Sequence, residues 1–161
     1  MRLTKRSSLR QVALVVGASL DRHGIGAVLT GGACASLHTA GTYSSLDLDF
    51  VLTGTVTQAT LDDAMAAVGF TRTGDRFLHP EVAFWVEFPR GPLAVGGDYK
   101  IKPTVLRGRA GHVHALSPTD SCRDRLGAFF HWDDRQSLDV AIQIAVRHPG
   151  DIAAIRRWSR R

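Results

Sequence analysis

The sequence predicts an α+β fold: a mixed β-sheet packed with helices, followed by a helical C-terminal segment. Three observations predict it. Residues 46–52 and 82–88 alternate apolar and polar side chains as strands do, among segments with helical spacing. From residue 117 onward the apolar spacing is helical throughout. A hydrophobic fraction of 44% over 161 residues suits about one core, and excludes disordered, collagen-like and disulfide-stapled chains. The expected division is a mixed α and β core over 1–116 and a helical segment over 117–161 packed on it.

The elements follow in order. Ser7 or Ser8 caps a helix to about His23, with Leu9, Val12, Ala13, Val16 and Leu20 on its apolar face and Gly24 as its stop. Residues 25–30 read as a short buried strand. The pair Gly31-Gly32 leads into a small-residue helix over 33–39, ended by Gly41. Residues 46–52 form the next strand. Thr60 with Asp63 marks the start of a helix bearing Leu61, Ala64, Met65 and Val68, closed by Gly69. Strands are expected at 76–79 and 82–88, then a loop with one edge strand near 99–101 or 104–106, and a strand at 112–116. Ser117-Pro118 with Asp120 opens a helix to about His131. A second runs from Arg135 to His148. Pro149-Gly150 breaks it, and a basic helix over 151–160 follows.

Lys and Arg number 20 against 15 Asp and Glu, a net charge of +5, which favours anionic partners such as nucleotides and nucleic acid. Cys34 and Cys122 lack zinc-like or disulfide spacing and read as reduced thiols. No apolar run reaches the roughly 20 residues of a membrane helix. The apolar stretch 12–20 follows basic residues but precedes Asp21, Arg22 and His23, with no small-x-small cleavage site. A cytoplasmic protein without membrane association is expected.

Chemistry concentrates in 29–50. Asp47 and Asp49 are two apart on a strand, so both carboxylates point the same way, while Leu46, Leu48 and Phe50 face the core. Like charges on one face repel unless a cation lies between them, and hard divalent ions take such oxygen ligands. At Gly31-Gly32, missing side chains let backbone N–H groups and a helix N-terminus approach a phosphate. Glu87 shares a strand face with Ala83 and Trp85 and is the candidate third carboxylate. Taken singly, Gly-Gly is also a common turn and D-x-D a common solvated face; in combination they point to a site.

That order of strand, Gly-Gly, short helix and D-x-D resembles the nucleotidyltransferase superfamily, with its DNA polymerase β-like fold. Within it, the chain is similar to the AbiEii-type and related minimal nucleotidyltransferases of bacterial toxin–antitoxin systems. SSLDLDF matches their S/T-x-D-h-D-h motif at Ser45, Asp47 and Asp49, and DRLGAFFHWDDRQSLDVAIQI resembles their helical segment through Arg125, Arg135 and Asp139. The likeness spans about 28–144. It implies a Mg2+-dependent (or Mn2+-dependent) nucleotidyltransferase. Asp47, Asp49 and Glu87 would be the metal-binding and catalytic acids; Gly31, Gly32, Ser45 and Arg125 would bind the nucleoside triphosphate. The implied acceptor is an RNA (a tRNA end, for instance) or protein hydroxyl, and the implied partner an antitoxin protein. The net positive charge argues against a polycationic aminoglycoside acceptor.

The chain departs from the family pattern at Tyr43, where members usually carry Arg four residues before the first Asp. Arg125 or Lys100 then remains to meet the triphosphate, and a non-catalytic module binding nucleotide or nucleic acid is the alternative reading. His112-x-His114 reads as a satisfied or solvent-facing pair, with no third ligand at zinc-like spacing. The stretch 91–96 lacks the Lys-Ser/Thr of a phosphate loop. Arg156, Arg157, Arg160, Arg161 and Trp158 suit either RNA contact or a helix C-terminus.

Overall fold

In the computed structural model, residues 1–40, 43–149 and 152–160 are described. The expected stop at Gly41, the break at Gly150, the helix start at Asp151 and Arg161 lie outside them. Helix α1 (Leu9–Arg22) starts at a capping box: Ser8 Oγ accepts from Gln11 N, and the Gln11 side chain accepts from Ser8 N. Ten of its residues are buried, so it is a core helix. Strand β1 (Ala27–Thr30) runs directly into α2 (Gly31–His38), so the Gly pair forms the first helical turn and not a linker before it.

Strand β2 (Asp47–Leu52) has the expected parity, with Leu48 and Phe50 fully buried, but Leu46 precedes the strand and is 55% exposed, which corrects its assignment to the core face. Helix α3 (Gln58–Ala66) is capped by Thr57, whose hydroxyl accepts from Thr60 N, which corrects the assignment of the cap to Thr60. The true cap lies three residues upstream because Thr60 occupies the position that a cap side chain reaches. Strands β3 (Thr71–Thr73) and β4 (Arg76–Leu78) make a hairpin around Gly74, and β3 was not anticipated because its side chains are all exposed. Strand β5 is confined to Trp85–Glu87, shorter than the expected 82–88. Of the two positions considered for the edge strand, β6 (Thr104–Gly108) takes the second, and β7 (Gly111–Ala115) pairs with it.

Helix α4 (Pro118–Trp132) begins with the Ser117 cap and proline at its first turn. Asp134 caps α5 (Arg135–Arg147), and α6 (Ile152–Ser159) follows. The named strands form one mixed sheet in the order β3-β4-β5-β2-β1-β7-β6. Beside β2, β1 is antiparallel and β5 parallel. Helix α1 packs on β7 and α3; α2 packs on β1, β2, α4 and α5. A large apolar cluster under the sheet includes Phe50, Phe70, Leu29 and Val16, and a smaller one joins α2 to α4 and α5 through Ala35, Cys122, Val140 and Ile144. No helix among the described residues is long and apolar enough to cross a membrane.

Candidate active site

Strand geometry assembles the acids. Asp47 and Asp49 occupy the half-buried positions of β2, and β5 lies parallel beside it in the register Asp47 with Trp85 and Asp49 with Glu87. Asp47, Asp49 and Glu87 thereby offer carboxylate oxygens within 4.8 Å of one another. Ser45 donates to Asp47 Oδ1 at 3.0 Å and orients that carboxylate. Burial, then the charges of Asp47 and Glu87 and a hydrogen bond to Glu87, push the Asp49 carboxyl up to about 7, against the opposing pull of Arg125. A proton held on Asp49 near neutrality relieves the crowding. A divalent cation relieves the same repulsion, so the all-oxygen donor set fits Mg2+ or Mn2+.

Gly31 closes one side of the cluster. Its φ is +66°, and a Cβ there would stand 3.1 Å from Asp49 Oδ2, so only glycine lets the carboxylate lie against this backbone. Thr30 adopts the N-cap conformation of α2 but makes no side-chain cap; its hydroxyl donates to Asp49 O at 3.2 Å. The first-turn N–H groups of α2 are therefore left to other acceptors. Tyr43 stands over Gly32, with its hydroxyl 3.1 Å from where a Cβ would be, and its carbonyl accepts from Ser36 Oγ.

Arg125 lies on α4 within electrostatic reach of Asp49. One of its terminal nitrogens donates to Asp124 Oδ2 at 2.9 Å, while its buried Nε has no hydrogen-bond partner among the described residues. Lys100, the other cation considered for the triphosphate, lines a cavity of about 680 Å3 with Phe130, His131 and Trp158, and none of the three acids borders it. Arg135 at the first turn of α5 and Asp139 one turn on are both exposed. Trp158 is not free at the tail: it packs over Gly96, beside Phe130 and under the Arg123 guanidinium.

One site neighbour, Arg76, escaped the sequence reading, and a second, Trp85, is placed by it on the face of Glu87 without a role. Arg76 pairs with Glu87 at 3.2 Å and lies 4.7 Å above the Trp85 ring, and Trp85 Nε1 donates to Glu87 Oε1 at 3.1 Å. Trp85 was legible by parity with Glu87. Arg76 required the antiparallel β4–β5 register, in which it sits opposite Glu87.

The fold, a mixed sheet with a D-x-D strand and a helical C-terminus, matches that of nucleotidyltransferase-like solved structures. Two solved structures share this fold. An antigenic nucleotidyltransferase-like protein from Paracoccidioides brasiliensis superposes with a TM-score of 0.61 at 16% identity, over 88% of this chain and 77% of that one. ANT(2'')-Ia, solved in complex with adenylyl-2''-tobramycin, gives 0.58 at 12% identity, over 94% and 96% of the two chains. No protein-family model matches the sequence, and no curated protein matches it significantly.

Proposed function

We propose that this chain is a divalent-metal-dependent nucleotidyltransferase that moves a nucleoside monophosphate from an NTP to a hydroxyl acceptor. The observation that carries the reading is the triad of carboxylates on two parallel, adjacent strands beside the uncapped start of α2. Residues 1–116 would supply this transfer site and 117–161 the helical segment that brings Arg125 to it. Asp47, Asp49 and Glu87 would hold the metal, which when bound neutralises charge on the phosphates and on the attacking and leaving oxygens. Gly31 and Gly32 offer backbone N–H groups to the triphosphate, and Arg125 offers its unpartnered Nε–H. The acceptor oxygen bonds to the α-phosphorus, the bond from that phosphorus to the pyrophosphate oxygen breaks, and the hydroxyl proton passes to the acid cluster through Glu87. Ser45 holds Asp47 in register throughout.

For the acceptor, the net charge of +5 favours an RNA end over a polycation, and an antitoxin-type protein partner accords with the motif likeness. A second acceptor class is favoured by the ANT(2'')-Ia likeness over nearly the whole of both chains: a small polyhydroxylated molecule of aminoglycoside type. Tyr43, standing where the motif likeness expects Arg, favours a binding module without turnover. The test is incubation with each labelled NTP, with Mg2+ or EDTA, and with tRNA, total RNA or an aminoglycoside panel. Metal-dependent pyrophosphate release with label on an acceptor supports transfer. Metal-independent nucleotide binding with no release under any condition overturns it.

A further inference from the structure

On the far side of β1 from the acids, Asp21 in the last turn of α1 meets His112 and His114 of β7. The two histidines are two apart on a strand and share its face. His112 Nε2 lies 2.6 Å and His114 Nε2 3.2 Å from the same oxygen, Asp21 Oδ2. One donor atom from each residue falls within a 4.8 Å circle. The sequence reading found no third ligand because 91 residues separate Asp21 from His112.

The helix is held against the strand by backbone contact. A Cβ at Gly17 would come within 2.5 Å of His112 O, and one at Gly111 within 2.6 Å of Leu14 O. The two glycines thus fix the height of α1 over β7, and with it the place of Asp21. Each ligand side chain is about one-third exposed, so an ion can reach the cluster from solvent.

We propose that Asp21, His112 and His114 form a second metal site, for a Zn2+-class transition ion, which fastens the end of α1 to the β6–β7 hairpin. Two imidazole nitrogens and one carboxylate oxygen are a borderline donor set that selects zinc over the hard ions suited to the carboxylate triad. Binding replaces the two Nε2–H hydrogen bonds to Asp21 by three bonds to the ion; each Nε2 gives up its proton, and each neutral ring then carries its one proton on Nδ1. Three protein ligands leave the fourth position to water.

The test uses the full chain without an added histidine tag, stripped with EDTA and held in millimolar Mg2+ to occupy the carboxylates. Zinc titration by calorimetry should give one equivalent. Melting at free Zn2+ a hundredfold above Kd should rise by about 5–10 °C. Asp21→Asn and His114→Gln should each lose that rise, while His131→Ala should keep it. Independently of any variant, the ring nitrogens of two histidines in the wild-type chain should shift in nitrogen-15 spectra on zinc addition, and Co2+ should give an absorption that zinc displaces. No rise in melting temperature, a rise that persists in both Asp21→Asn and His114→Gln, or spectra in which no histidine ring moves would overturn the proposal.

Discussion

Asp49 and Glu87 face each other as register partners across the parallel pair β2 and β5, and Glu87 is in turn opposite Arg76 across the antiparallel pair β4 and β5. Glu87 therefore has a carboxylate on one side and a guanidinium on the other. Arg76 is half-exposed, so its ion pair contributes at most about 1 kcal/mol to stability, and its larger effect is to hold Glu87 in place.

The first expected outcome concerns Asp47. Asp47→Asn removes one of three crowded charges while keeping an acceptor for Ser45. Its melting temperature in EDTA should equal or exceed that of the wild type. Nucleotidyl transfer should fall by roughly 100-fold or more, since a lost metal ligand removes charge stabilisation that only the transition state needs. Paired melting curves and transfer assays measure both. A core substitution behaves oppositely: Phe50→Ala empties a fully buried site and should cost about 3–5 kcal/mol.

pH should act through Asp49. Its carboxyl sits at about 7 in the folded chain, above the ordinary value near 4 that it has when unfolded. The folded state therefore binds the proton more tightly. The stabilisation is full below about pH 4 and is lost as pH rises through about 7. After discounting for solvent screening it amounts to about 1–2 kcal/mol. Metal-free melting curves between pH 5 and 8 should show a decline that Asp49→Asn flattens and that saturating Mg2+ suppresses. An identical decline in the Asn variant would assign the effect to another group.

Arg125 should act on the nucleotide. Arg125→Lys keeps the charge but loses the planar fork and the Nε–H that has no partner. We expect KM for the NTP to rise about tenfold, the worth of one charge-assisted hydrogen bond, with little change in melting temperature. Steady-state kinetics with varied NTP settle it. An unchanged KM would remove Arg125 from the binding role.

Gly31→Ala tests the close approach beside Asp49. Alanine at φ +66° is strained by about 1 kcal/mol or more, and its Cβ would press on Asp49 Oδ2. Transfer should fall further than the melting temperature predicts. Gly54→Ala, in open space and without a positive φ, should leave both unchanged.

Much of this was legible because it depends on parity or local capping. The alternation of 46–52 put Asp47 and Asp49 opposite Leu48 and Phe50, and Ser8 and Ser117 announced their helices. What escaped depends on register between distant segments. Arg76 finds Glu87, and Asp21 finds His112, only once strands and helices are packed. The overlong estimate for β5 has a related cause: an apolar run at 82–88 records burial, but only Trp85–Glu87 has strand neighbours to pair with.

The ladder joining β2 to β5 also works as a ruler. Spacing along one strand and between neighbouring strands is set by backbone hydrogen bonds, about 3.3 Å per residue and about 4.8 Å across. Side-chain identity scarcely enters those dimensions. A sequence can drift almost everywhere else, replacing the core residue by residue, and the distances among the three acids will not change. That is a physical reason for proteins of 12% and 16% identity to superpose on this chain over most of its length. Insertions at the outer turn around Gly74 would lengthen the periphery without altering the measure at the centre.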